Sequence, residues 1–477
     1  MKHVAMNPYL PLYEYIPDGE PRIFGDRLYV YGSHDYAGGA LGFCPGDYMV
    51  WSAPLSDLGD WRCDGVGYPR SSCPEPLKEN DAMAAPDVVQ GVDGRYYLYY
   101  NANENHCHIG VSERPEGPFL PYGDVCREDG TPYTDYKMFD PGVLVENGKA
   151  YLFVGFCMPG PVPERFKKAG AKFPQYSLGF ELASDMKTIV KGPVNVIPGG
   201  NVTEGTGFEG HGFYEASSPR KINESYVMVY SSELSHEMVY AIADEPLGPY
   251  TYKGTLVSCA DFGYKGNTVP VMPYGNVHGG MVQLNGDWYI FYHRHTSGQE
   301  ASRQGCAEKL PILKDGWFGQ AEITSCGLNN GPLLAEGSYN ACYCCHLTSP
   351  QIPDKRLTTR ECRRETEPHI YEEAVGMKET EYLHYLAQIG TDTVVGYKYF
   401  SFDKPVLVWV RLRGMADGMV SVCVDKPDGE ELDGKEFHLE GDWKEVCLDI
   451  SKVSGVHAFY FRFQTTGPIQ FENLRFE

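Results

Sequence analysis

Five times along the chain, a strand enters a tight turn and leaves it as a strand rich in tyrosine. The copies are DRLYVYGSHD from Asp26, DGRYYLYYNA from Asp93, NGKAYLFVGF from Asn147, NESYVMVYSS from Asn223 and NGDWYIFYHR from Asn285. They recur about every sixty residues, which suits a small antiparallel sheet repeated around an axis. Three of the turns hold Asn-Gly or Asp-Gly, the pair favoured in two-residue hairpin loops, where both central residues take positive φ. Further strands are readable beyond the hairpins. VSERPEGPF (Val111 to Phe119) and IADEPLGPY (Ile242 to Tyr250) share a Pro-x-Gly-Pro-aromatic ending, and DYMVWSAPLSDLGDW and QGCAEKLPILKDGWF occupy similar places in the first and fifth repeats. Five hairpins predict an all-β, five-bladed propeller over residues 1–330.

Composition agrees with many short strands joined by tight turns: aromatic residues make up 13%, with 35 Tyr, 54 Gly and 34 Pro. The repetition stops near Gly331. From about Glu379 the chain alternates like short strands: VLVWVRLRG, GMVSVCVDK, WKEVCLDI, AFYFRFQ and IQFENLRFE. Alternation with period two predicts a second domain over residues 331–477, an antiparallel β-sandwich of jelly-roll type.

Net charge is −23, from 41 basic and 64 acidic residues. Such a surface repels phosphate backbones and anionic lipids, which argues against nucleic-acid and membrane partners. A neutral small-molecule substrate is not repelled. The first twenty residues lack the apolar stretch of a secretory signal, and no run approaches the ~20 apolar residues of a membrane span. Fifteen cysteines form an odd set without repeating spacing, the usage expected of reduced thiols in a cytoplasmic protein. CYCCH at Cys342 to His346 lacks a second ligand pair, so it reads as buried thiols and not as a zinc site.

Each hairpin follows a polar residue set in apolar surroundings. These are Asp18 in IPDGEPRIF, Asp87 in AAPDVVQGV, Asp140 in MFDPGVLVE, Glu215 in FYEASSPRKI and His278 in NVHGGMVQL. Taken singly, an Asp before a strand often caps a turn. Five polar residues in one register are different, because buried like charges are costly without a purpose. If the first strand of each blade lines the axis, the five side chains converge at one mouth of the channel. Hydrolysing a glycosidic bond with inversion needs an acid for the departing oxygen and a base for the attacking water. A further carboxylate nearby keeps the acid protonated. Asp18, Asp140 and Glu215 come from three separate blades and meet that need.

In their order, PDGEPRIFGDRLYVYGSHD, the APD of blade two, the DP of blade three, EASSPRKI and VHGG resemble family-43 glycoside hydrolases, over residues 5 to 330 or so. The resemblance implies Asp18 as general base, Glu215 as general acid and Asp140 as the residue that tunes and orients the acid. Arg303, in ASRQGCAE, resembles the arginine that contacts the sugar in the −1 subsite. His278 matches a central histidine that touches substrate and lies beside a calcium ion or water in the channel; no cofactor is required. Asp87 falls at a place that is usually structural or substrate-facing. An inverting, exo-acting α-L-arabinofuranosidase with β-xylosidase activity, working on short arabinose- and xylose-containing oligosaccharides of plant hemicellulose, is the expected function. Alternatives are an endo-arabinanase, a retaining fructosidase-like hydrolase (disfavoured because Glu215 is followed by Ala and not Cys) and a non-catalytic sugar-binding propeller. In the tail, VGYKYFSF, GDWKEVCLDI and VSGVHAFYFRF resemble family-6 carbohydrate-binding modules.

Overall fold

The computed structural model describes the chain except residues 1–2, 75, 103–104, 159, 161–169, 171, 351–354, 359–360, 377–380 and 404–406. Its first part is a ring of five antiparallel sheets. Blade one runs from axis to rim through Glu20–Phe24, Arg27–Tyr31, Tyr48–Pro54 and Arg62–Tyr68. Blade two contains Asp87–Gln90, Tyr96–Tyr100, His108–Ser112 and Leu120–Asp124. Blade three contains Gly142–Glu146, Lys149–Val154, Tyr176–Leu182 and Ile189–Pro198. Blade four contains Phe213–Ile222, Ser225–Ser232, Glu237–Ala243 and Thr251–Ser258. Blade five has three strands, Met281–Leu284, Asp287–His295 and Arg303–Lys309. Residues 7–9 complete its outer edge: the Tyr9 amide donates to Gly305 O (3.1 Å). The buried Asn7 side chain donates to Ala307 O (2.9 Å) and accepts from the Ala307 amide (2.9 Å).

A blade is packed on both faces, which explains why its strands read as continuous apolar runs. In YYLYY of blade two, Tyr97 and Tyr99 join the cluster shared with Val143, Leu152 and Phe180 of blade three. Leu98 and Tyr100 point the other way, into the cluster shared with Tyr29, Tyr31 and Tyr48 of blade one. Successive strand residues face opposite sides, so one tyrosine-rich strand feeds two cores. Similar clusters fill the gaps between blades three and four and between blades five and one.

The expected hairpin turns form at two sites with both residues at positive φ: Asn147 (50°) with Gly148 (76°), and Asn285 (52°) with Gly286 (95°). Asp93-Gly94 differs. There Gln90 pairs with Tyr96, so the loop is longer and only Gly94 takes positive φ. The Pro-x-Gly-Pro-aromatic endings form the connections from third to fourth strand in blades two and four.

The C-terminal part is a curled β-sheet with two layers. Its expected start near Glu379 lies outside the described residues. VLVWVRLRG and GMVSVCVDK, read as two strands, belong to one long strand, Leu407–Val424. The first half of that strand pairs with Lys444–Asp449 and Ile469–Phe476, the second half with Glu431–Glu440 and Gly455–Thr465. The glycines between the two runs let the strand bend from one layer to the other without a turn. Phe400, Phe459, Phe461, Phe471 and Phe476 fill the space between layers, and this core is continuous with Tyr240, Met281 and Ile290 of blades four and five. Cys342 and Cys344 are part of it.

Ahead of the main C-terminal strands, the chain returns to the propeller mouth. The Leu347 amide donates to Val271 O, the Leu357 amide to Tyr274 O, the Arg363 amide to Gly298 O and the Ile370 amide to Thr296 O (2.7–2.9 Å). Among the described residues, no helix is long and apolar enough to cross a membrane.

Candidate active site

All five polar residues singled out by spacing sit at the starts of innermost strands and are buried. The backbone aims three of the turns: Asp18 (φ 58°), Asp140 (47°) and Ala216 (71°), next to Glu215, all take the left-handed region. Asp tolerates that region better than most residues. Ala216 does so inside a strand, where the pairing register shifts on both sides of Glu215. Such a bulge re-aims a side chain, here that of Glu215. Blades three and four also approach unusually closely at this level. A Cβ on Gly142 would stand 2.0 Å from Ser217 O, so only glycine fits.

Asp18 is held on every side. Arg303 Nη1 donates to its Oδ1 (2.9 Å) and Ser33 Oγ to its Oδ2 (2.7 Å). Its own amide donates to His293 Nδ1 (3.3 Å), while His293 Nε2 lies 2.9 Å from Asn276 O. Burial works to raise the Asp18 pKa, but the charge of Arg303, with a smaller contribution from His278, outweighs it and holds the carboxyl well below the usual carboxylate range. Burial keeps His293 neutral, at about 4.

Glu215 is the opposite case. Burial first, then the charge of Asp140, with a smaller push from Asp18, raise it to about 8 against the pull of His278 and Asn276. Asp140 Oδ2 lies 3.3 Å from His278 Nδ1, and the backbone at Ala216 favours its ionised form. Burial works to lower the His278 pKa, yet Asp140, Asp18 and Glu215 together raise it to about 9. Each of these four groups acts on the others' charge, which is the convergence that the spacing implied.

Arg303 is 2% exposed. Its Nε and Nη2 clasp Asp35 (2.7 and 3.1 Å), while Nη1 reaches Asp18. The guanidinium lies 4.8 Å from the Phe43 ring centroid. Asp35 was missed by spacing because it closes the first repeat, DRLYVYGSHD, instead of preceding it. Asp87 takes no part in the hollow. Arg22 grips it through Nε and Nη2 (3.0 and 2.6 Å), and it accepts the Val143 amide (2.7 Å). Deeper in the channel, Glu20 accepts from Arg220 and Ser218, with Arg22 at 3.5 Å. Sequence reading missed this lattice too, although a signal exists: Pro-Arg stands in the innermost strand of both blade one (Pro21-Arg22) and blade four (Pro219-Arg220).

Calcium takes six to eight oxygen ligands, several of them carboxylates. Around His278 the deeper channel carboxylates, Glu20 and Asp87, are already neutralised by Arg22 and Arg220, and Asp140 is bound to His278 itself. These residues do not fit a calcium ion held directly by protein carboxylates. Elsewhere, His106, His108 and Asp124 form a compact group on blade two, each histidine Nδ1 already bonded to Asp124 (3.1 and 2.7 Å).

Two buried carboxyl groups of a five-bladed propeller, one held ionised and the other held protonated and each within reach of the charge of His278, suit one class of protein: a hydrolase of glycosidic bonds. The chain belongs to the glycosyl hydrolases of family 43, whose model matches residues 21–318. It is 38% identical to a "Xylosidase/arabinosidase" of Thermoclostridium stercorarium over 99% of both chains. It is 28% identical to a "Beta-xylosidase" of Xylanibacter ruminicola over 59% of this chain and 88% of the relative. Its fold is similar to a family-43 arabinoxylan arabinofuranohydrolase of Bacillus subtilis solved with cellotetraose (TM-score 0.52, 19% identity, 99% of each chain). It is also similar to a family-43 β-xylosidase/α-arabinofuranosidase from a compost metagenome, solved with xylotriose in calcium-free form (TM-score 0.52, 24% identity, 67% of this chain and 98% of that one).

Proposed function

We propose that the protein releases terminal arabinose and xylose units from short plant-hemicellulose oligosaccharides, with inversion, using Asp18 as base, Glu215 as acid and Asp140 to tune the acid. The opposite protonation preferences of Asp18 and Glu215 in one hollow carry this reading, because an inverting mechanism needs that pair and a sugar-binding scaffold does not. Asp18, ionised by Arg303, takes a proton from the attacking water. Glu215, protonated at neutral pH, gives its proton to the leaving oxygen. Arg303 and His278 face the same hollow and offer donors to the hydroxyls of the sugar being released. The relatives' names, xylosidase/arabinosidase and β-xylosidase, support pentosides as substrates.

No cofactor enters this chemistry, which uses only water and side chains; a calcium ion near His278 would be a structural addition held largely through water. The domain division that we infer runs near residue 330, between the last propeller strand, Arg303–Lys309, and the first C-terminal strand, Leu333–Leu334. For the C-terminal part we favour a buttressing role over a sugar-binding one. Its Trp443 ring, an obvious candidate for stacking on a sugar, has the Arg413 and Arg411 guanidiniums at 4.4 and 5.4 Å. Fifteen free thiols support a reducing, cytoplasmic setting.

The test uses aryl arabinofuranoside and aryl xyloside. Wild-type protein is expected to cleave at least one, with the sugar product appearing as the inverted anomer by NMR. Asp18→Asn should lower turnover of every substrate by about 10²–10⁴-fold. Retention of configuration, or an Asp18→Asn variant as active as wild type, would overturn the assignment.

A further inference from the structure

In an inverting glycosidase the acid stands beside the leaving oxygen, so the departing sugar lies on the acid's side of the hollow. Here that side is unlike the opposite one. Around Asp18 the wall is a closed lattice of Arg303, Asp35 and Ser33. Around Glu215 it is built of half-buried aromatic groups and one arginine from far along the chain.

Tyr214 precedes Glu215, and its phenol feels the charges of Glu215, Glu300 and Arg356. Nearby, Tyr274, Phe262 and His236 pack together: Phe262 and His236 each meet Tyr274 edge-on, at 5.2 and 5.8 Å between centroids, and His236 lies tilted on Phe262 at 4.6 Å. All four rings keep part of their surface open. Arg356 belongs to the segment that returns from the C-terminal part. Its guanidinium lies 5.8 Å from the Tyr274 ring, and Nη2 donates to Ser235 Oγ (2.9 Å).

Residues 355–357 are held on both sides of Arg356. Tyr274 donates its amide to Lys355 O (3.0 Å) and accepts that of Leu357 (2.7 Å), one bond on each side of Arg356. Lys355 and Leu357 point inward, and Lys355 Nζ forms a buried pair with Glu367 (3.2 Å; each side chain 4% exposed) plus a bond to Ser349 O (2.7 Å). A buried ion pair adds little net stability but penalises every other register. The outcome is a half-exposed Arg356 held at one place against Tyr274 and Ser235, where its charge reaches Tyr214, the residue before the acid.

Resting on the glycosidase reading, we propose that Arg356, with Tyr274 and Tyr214, forms the subsite that holds the leaving sugar of a pentose oligosaccharide, so that the C-terminal part completes the active site. Aromatic faces suit the C–H face of a pyranose or furanose ring, and guanidinium N–H groups and phenols suit its hydroxyls. The ligand class is a neutral sugar bearing free hydroxyls, not an aryl group.

The test compares Arg356→Ala and Arg356→Lys with wild type on two substrates: 4-nitrophenyl pentoside, and whichever of β-1,4-xylobiose or α-1,5-arabinobiose the wild type cleaves. Arg356→Ala should lose about tenfold in kcat/KM on the disaccharide, mostly through KM. It should stay within about twofold on the aryl glycoside, whose leaving group has no hydroxyls to hold. Arg356→Lys, which keeps a donor and a charge, should recover part of the disaccharide loss and controls for folding. Equal effects of Arg356→Ala on both substrates, or no effect on either, would overturn the subsite while leaving the glycosidase reading intact. A wild type that cleaves neither substrate would instead overturn the glycosidase reading.

Discussion

Glu215 and Asp18 are both buried carboxylates on one hollow, and their partners alone set them apart: Arg303 is bound to Asp18, whereas Glu215 faces the charge of Asp140. The consequence is a pH profile with a direction. As the proposed acid, Glu215 works only while protonated, so the rate on a disaccharide should fall as pH rises through about 8. As the proposed base, Asp18 works only while ionised and lies well below the usual carboxylate range, so it imposes no acid limb near neutrality. Asp140→Asn removes the largest charge that raises Glu215, and the alkaline limb of kcat/KM should move to lower pH while burial keeps it above an ordinary glutamate. His278, which pulls Glu215 down, loses the partner that keeps it charged in the same variant, so the shift measures both. An alkaline limb unmoved between His278→Gln and the double variant Asp140→Asn/His278→Gln, where the opposing change at His278 is absent, would deny Asp140 its tuning role. On aryl substrates Glu215→Gln should retain far more activity than on disaccharides, since a good leaving group needs little protonation. At this scale the converging residues were readable because they precede repeated hairpins. Asp35, His293, Asn276 and Arg356 were not. They reach the hollow from a hairpin end, a second strand and loops, which no repeat marks and only the closed ring brings together.

Among the elements, blade five is the weak point of the ring, because it makes only three strands of its own and relies on residues 7–9 for its edge. Asn7 does most of this as one buried side chain. Nδ2 donates to Ala307 O, Glu308 Oε1 and Thr324 O (2.9, 2.9 and 3.2 Å), and Oδ1 accepts the Ala307 amide. Asn7→Ala would strand a buried N–H and several acceptors, at a cost of about 2–4 kcal/mol. The expected readout is a clearly lower melting temperature with kcat at 25 °C unchanged, since Asn7 touches no group of the hollow. A variant melting with wild type would show that the edge is held elsewhere. The hairpins were legible as elements because turn chemistry and strand composition agree at each one, as at Asn147-Gly148 and Asn285-Gly286. This edge was not, since Asn7 to Tyr9 is too short to carry strand alternation and pairs through one side chain as much as through backbone. Nor was the continuity of Leu407–Val424: Gly414 and Gly418, three residues between them, read as a turn unless one knows that two layers must share a strand.

For the whole molecule, the sequence suggests two domains, because repetition ends near Gly331 and a different pattern follows. The packing ties the two parts together. One apolar core runs from Tyr240 and Ile290 in the propeller to Phe400 and Phe461 in the C-terminal part. Lys398 crosses the same boundary, with Nζ 3.1 Å from Asp261 Oδ2 and 3.0 Å from Glu322 Oε1, and it is 7% exposed. Units that share a core and a buried ion pair unfold together, because separating them exposes apolar surface and strands a charge. Calorimetry on the full chain should therefore give one cooperative transition and not two. Lys398→Ala leaves Asp261 buried without its cation and should lower that single transition by the equivalent of about 3 kcal/mol. Two resolved transitions, with only the C-terminal one moved by Lys398→Ala, would mean that the parts are merely adjacent. A single transition would explain why a sheet with no catalytic carboxylate at the hollow accompanies the propeller: it holds blades four and five, and with them Glu215, His278 and Arg303, in one rigid frame.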